Sequence, residues 1–190
     1  MKFKNAGKYD GNPESLPHKE VAGAVQFKEF DNLKVFGIVM NIVATFVILL
    51  LLYLGWLRSP ETPPVGPVGL LLSLLVMVPH EFLHACCFRG KVQMYSNLKE
   101  GMMFVIGTED MRRARFVVMS MLPNIVFGFI PYLLYMIFPA WQDLGFFGAM
   151  CISMGAGDYL NVWNCLTQVP KGGRVYMSGI HQFWYMPEQN

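Results

Sequence analysis

Four apolar runs dominate this sequence: Val35 to Trp56, Val68 to Phe88, Phe116 to Phe138 and Leu144 to Val169. A helix needs about 20 largely apolar residues to cross the roughly 30 Å of hydrocarbon in a bilayer, and each run reaches that length. Composition points the same way, since 54% of the 190 residues are apolar and 15% charged, against about 45–50% and about 25% in soluble domains. The sequence therefore predicts an all-α membrane protein of four transmembrane helices. Gly155, Gly157 and Asp158 fall midway in the fourth run, so a bend or local unwinding is expected there.

The cations say how such a chain would sit. Lys2, Lys4, Lys8, Lys19, Lys28 and Lys34 precede the first run, while Arg89, Lys91, Lys99, Arg112, Arg113 and Arg115 separate the second from the third. Lys171 and Arg174 follow the fourth run, and Arg58 alone falls on the opposite side. Lysines and arginines beside spans stay on the cytoplasmic side, so both termini and the central loop are expected there. The chain then divides into a cytoplasmic segment 1–34, a four-helix membrane domain 35–169 and a cytoplasmic tail 170–190. In the central loop, Lys91–Ser96 and Met102–Gly107 read as two strands around turn residues, which predicts a cytoplasmic β-hairpin between the second and third helices.

Several classes drop out on the same grounds. Cations confined to the flanks of apolar runs, with a net charge of only +2, make nucleic acid an unsuitable partner; the bilayer itself is the expected one. Cys86, Cys87, Cys151 and Cys165 all lie inside apolar runs, without the spacing of a disulfide framework. Residues 1–34 are polar and have no apolar core, so insertion is expected to begin with the first span.

Ionisable groups in hydrocarbon cost at least about 2.5–3.5 kcal/mol each, which makes them functional candidates. Within the four runs the only carboxylates are Glu81 and Asp158, and the only imidazoles are His80 and His84. Three of the four stand in Pro79-His80-Glu81-Phe82-Leu83-His84. This is the HExxH pattern, in which residues four apart share one helix face about 6 Å apart along the axis, so both imidazoles can bind one metal ion. Glu81 is then the general base. A zinc ion on three protein ligands keeps a position for water and lowers its pKa toward about 7. Glu81 would take the proton as a scissile carbonyl is attacked and hand it to the leaving amine.

The third ligand is expected to be Asp158, the one carboxylate on another span; His181, Glu61 and Cys151 are the remaining donors. Glycines beside Asp158 would let the second and fourth helices approach. Asn161 and Asn164 form a polar stripe one and two turns beyond it, and Asn124 follows Pro123 in the third run. Asn161 and Asn164 are candidates for orienting Asp158 or binding substrate backbone, or for ordinary interhelical hydrogen bonds; Asn124 is a further candidate for lining the site or binding substrate, against the reading of a plain proline kink. His84 lies about 8 Å and Asp158 about 20 Å from the nearest flanking cations at 1.5 Å per residue. Convergence on one ion therefore requires the fourth helix to tilt, unwind or end early.

His80-Glu81-Phe82-Leu83-His84, the stretch from Arg112-Arg113-Ala114-Arg115 to Leu122-Pro123, and Gly157-Asp158-Tyr159-Leu160-Asn161 with Val169-Pro170-Lys171-Gly172 resemble the small bacterial membrane family of putative zincin peptidases. More distantly the chain is similar to the site-2 proteases, which use HExxH on one helix and an Asp on a later one. Those enzymes usually place Gly after the Asp, whereas here Gly157 precedes Asp158 and Tyr159 follows. The resemblance implies Zn2+ at His80, His84 and Asp158, with Glu81 as catalyst, in a bacterial cytoplasmic membrane. The expected function is hydrolysis of peptide bonds in membrane proteins or membrane-associated peptides. A catalytically silent binding or chaperone-like protein using the same cavity is the alternative, followed by an ion or proton pathway through Glu81 and Asp158.

Overall fold

The structure is a computed structural model that describes residues 1–30, 32–97 and 102–188. Its elements, in chain order, are β1 (Lys2–Lys8), β2 (Val25–Gln26), α1 (Leu33–Arg58), α2 (Pro67–Leu75), α3 (Met77–Cys86), β3 (Lys91–Asn97), β4 (Met102–Ile106) and β5 (Met111–Arg112). Then follow α4 (Arg113–Pro123), a π-helical turn over Asn124–Phe129, α5 (Ile130–Ile137), α6 (Gln142–Met154), α7 (Ala156–Gln168), β6 (Arg174–Ser178) and β7 (His181–Tyr185).

The expectation of an all-α protein with four spans is overturned. Among the described residues seven strands form sheets of three and four strands. Among the described residues two helices are long and apolar enough to cross a membrane, Lys34–Arg58 and Arg113–Ile137, or three if α2 and α3, bent by 45°, count as one. Local chemistry explains the loss. Pro79 has no N–H for the Leu75 carbonyl four residues earlier, and its ring crowds that position, so the second run breaks between Leu75 and Met77. The fourth run divides at Gly155, which caps α6. The 13-residue helices on either side are each about 20 Å long, short of about 30 Å of hydrocarbon.

The chain folds as two units: Met1–Glu29 with Glu81–Ser120 and Asn161–Asn190, and Phe30–His80 with Met121–Leu160. All the strands belong to the first. In one sheet β1 runs parallel to β3, with Lys2 opposite Lys91, and β3 pairs antiparallel with β4. The two strands expected in the central loop are thus present, while their connection, residues 98–101, lies outside the described residues. The other sheet has the order β2-β7-β6-β5, antiparallel throughout. Segments 1–34 and 170–190, read above as terminal tails, therefore supply four strands. Phe27, Ala85, Phe88, Val92, Phe116 and Val175 form the main core of this unit.

The second unit is helical. Asn32 caps α1 by accepting from the N–H of Lys34 and Val35, and Pro67 opens α2, where a missing N–H costs nothing. Tyr135 is wholly buried, and its hydroxyl donates to a backbone carbonyl, that of Gly55 or Thr62, each 3.0 Å away. A Cβ on Gly148 would fall 2.5 Å from the Tyr132 nitrogen, so glycine there permits close approach of α5 and α6.

Candidate functional site

Because Pro79 ends the α2 geometry, α3 starts afresh just before the motif and carries His80, Glu81 and His84. One ligand atom from each of these three side chains can be chosen so that all lie within 4.8 Å of one another. His80 and Glu81 are half-buried, and His84 is buried with 6% of its surface exposed.

Two neighbours orient the imidazoles. His84 Nδ1 lies 2.8 Å from the Met119 carbonyl oxygen. A carbonyl can only accept, so Nδ1 carries the proton and the lone pair resides on Nε2. That acceptor is available for a local reason: the residue four positions after Met119 is Pro123, inside α4, which has no N–H to return to it. His80 Nε2 lies 3.3 Å from Asp158 Oδ2. The same oxygen accepts from Asn124 Nδ2 at 2.8 Å.

Asp158 and Asn124 owe their positions to two irregularities. Asn124 opens the π-helical turn that follows Pro123 and is wholly buried. Asp158 stands in the first turn of α7, just past the break at Gly155. A Cβ on Gly155 would fall 1.9 Å from Asn124 Oδ1, so glycine there makes room for the amide that holds Asp158. Gly157, by contrast, has only the Phe36 ring at 3.5 Å from such a Cβ.

The other candidates are placed as follows. Asn161 is half-buried and Asn164 buried further along α7, with no partner for Asn164 Nδ2 among the described residues. His181 Nδ1 pairs with Glu29 Oε1 at 2.7 Å on the strand-bearing unit. Cys151 packs with Val76 and Phe147, and Glu61 lies in the loop before α2. Sequence reasoning named Asn124 without singling out its bond to Asp158, and missed the Met119 carbonyl altogether. The signal for the latter was Pro123, four residues downstream.

The cluster of His80, Glu81 and His84 is compatible with zinc. Ligands at about 2.0–2.1 Å around a tetrahedral zinc lie about 3.3–3.4 Å from one another. The 3.3 Å between His80 Nε2 and Asp158 Oδ2 matches that spacing and exceeds the 2.7–2.9 Å or so of a charge-assisted hydrogen bond. Both Asp158 and His84 have the outer partners, an amide donor and a carbonyl acceptor, that metal ligands generally have.

Comparison with known proteins adds one finding. A family model described as "Putative zincin peptidase" matches residues 73–173, from within α2 to just beyond α7. No curated protein and no solved structure matches the chain.

Proposed function

Because the chain belongs to the putative zincin peptidase family, we propose that it is a membrane-associated zinc peptidase that cleaves membrane proteins or membrane-bound peptides. The observation that carries this reading is the 3.3 Å approach of Asp158 to His80, the first histidine of a motif whose ligand atoms cluster within 4.8 Å. His80, His84 and Asp158 would hold the zinc. When bound there, the ion supplies Lewis acidity that polarises a carbonyl and acidifies water.

The chain's own residues do the rest. Glu81, next to His80 on α3, takes a proton from the attacking water on one carboxylate oxygen and returns it to the nitrogen of the departing amine. Met119 keeps the His84 ring in the tautomer that leaves Nε2 as donor to a metal. Asn124 holds the Asp158 carboxylate in register by donating to Oδ2.

Membrane association is supported by the two helices long and apolar enough to cross a bilayer. β2, from the N-terminal segment, pairs with β7, from the C-terminal segment, which favours both termini lying on one side of a membrane. The lysines that precede α1 favour the cytoplasmic side.

The test is Glu81→Gln in the full chain. The variant keeps about one zinc per chain and loses peptide hydrolysis by about 100-fold to 10,000-fold, the range for removing a general acid–base. Undiminished cleavage by this variant, or a folded wild-type protein that takes up no zinc, sinks the proposal.

A further inference from the structure

α3 ends at Cys86, and the chain beyond it is held by side-chain charges. Arg115, in the first turn of α4, donates through Nε and Nη2 to the Cys87 carbonyl oxygen at 3.1 and 2.5 Å. Its Nη1 donates to Glu109 Oε1 at 2.6 Å. The second oxygen of Glu109 accepts from the backbone N–H of Arg89 and of Gly90 at 2.6 and 2.8 Å. These bonds close a ring around residues 87–90.

The end of α3 is closed by backbone, with the Cys87 N–H donating to the His84 carbonyl at 3.1 Å and the Phe88 N–H to the Ala85 carbonyl at 3.0 Å. The Cys87 carbonyl just past it is held from the helix that also orients His84. Arg115 lies one turn before Met119 on α4, and Cys87 lies three residues after His84 on the continuation of α3. The His84–Met119 bond and the Cys87–Arg115 bonds are therefore two rungs, one turn apart, between the same two segments. The second rung sets the rotation and height of the last turn of α3, and so the direction of the His84 ring. Burial works against the charge on Glu109, but the Gly90 N–H, the Arg115 guanidinium and the Arg89 N–H outweigh it and hold the carboxyl below its ordinary 4.5. The ring is thus closed at neutral pH.

We propose that Glu109 and Arg115 form a positioning clasp that aligns His84 for metal binding, acting through α3 without touching the metal. The proposal rests on the reading of His80, His84 and Asp158 as zinc ligands. It assigns a function to two charged residues that would otherwise count as a surface ion pair of small consequence.

The experiment measures zinc affinity of the detergent-solubilised full chain by competition with a chromophoric chelator, together with the visible spectrum of the cobalt-loaded protein. Glu109→Gln and Arg115→Gln each weaken zinc binding by about 10-fold to 100-fold, the range for outer partners of metal ligands. Both also perturb the cobalt spectrum. Arg115→Lys does not rescue, because one ammonium cannot reproduce the guanidinium fork. The double variant is no worse than the more severe single, since both ends belong to one ring. Glu29→Gln, which weakens the His181–Glu29 pair away from residues 87–90 and 109–115 but in the same unit, lowers the thermal midpoint and leaves zinc affinity unchanged. If Arg115→Gln fails to fold, the nearly isosteric Glu109→Gln carries the test. Clasp variants that bind zinc within twofold of the wild type overturn the clasp alone, as does an equal loss of affinity in Glu29→Gln. A wild-type protein without zinc affinity overturns the zinc reading, and the clasp with it.

Discussion

Replacing Asn124 by leucine isolates the contribution of one hydrogen bond to the candidate zinc site. Asn124 is wholly buried, and leucine has similar volume, so the substitution leaves little cavity and removes chiefly the amide. What disappears is the 2.8 Å bond from Nδ2 to Asp158 Oδ2. A hydrogen bond to a charged acceptor contributes about 1.5–3 kcal/mol. At about 1.4 kcal/mol per tenfold, that is about a 10-fold to 100-fold loss of zinc affinity, the same range found when outer partners of metal ligands are removed. Without the amide, Asp158 can turn away from His80, 3.3 Å distant. The assay is chelator competition for zinc, run beside thermal unfolding of the metal-free protein. A folded Asn124→Leu protein that binds zinc within twofold of the wild type refutes the reasoning, because it would mean Asp158 needs no holder or is no ligand.

Three further perturbations probe the same architecture. Gly155→Ala places a Cβ 1.9 Å from Asn124 Oδ1, so it should displace the amide and weaken zinc binding at least as much as Asn124→Leu, although no polar group is deleted; unchanged affinity in chelator competition counts against the crowding. Pro123→Ala restores an N–H aimed at the Met119 carbonyl, where it competes with His84 Nδ1; zinc affinity should fall a few-fold while the thermal midpoint holds or rises, and a fall in both would point to simple loss of structure. Because the folded carboxyl of Glu109 titrates below 4.5, its stabilising effect is fully present above that value and is lost as pH falls through the lower, folded one. Thermal unfolding of Glu109→Gln should therefore differ most from the wild type at neutral pH, the two curves converging in acid; a constant gap at all pH values contradicts this.

The clustering of His80, Glu81 and His84 was legible in the chain because it is local. The spacing of His80 and His84 puts both rings on one helix face whatever the rest of the molecule does, and α1 follows from an unbroken apolar run behind an asparagine cap. Pro79 and Pro123 were visible too, but each acts on the carbonyl four residues before it, and that action has meaning only when something else needs the carbonyl. Met119 acquires its importance from His84, 35 positions away in sequence. Asn124 acquires its own from Asp158, 34 positions away.

Reading the apolar runs as four whole spans went wrong because hydropathy sums a window and does not register where a helix stops. Gly155 and Pro79 are single residues inside long apolar stretches, yet they set helix ends. The terminal strands were missed for a related reason. β1 carries lysines at positions 2, 4 and 8, suited to the edge of a sheet, where cations discourage further pairing, and it lacks the apolar alternation that marks a strand in sequence. Its partner, β3, begins at Lys91. The sequence by itself determined which groups can grip a metal, since that depends on residue type and helical period. Only the tertiary structure decided that Asp158 stands beside His80 and that Asn124 holds it there, since hydrogen-bond partners distant along the chain are chosen by packing.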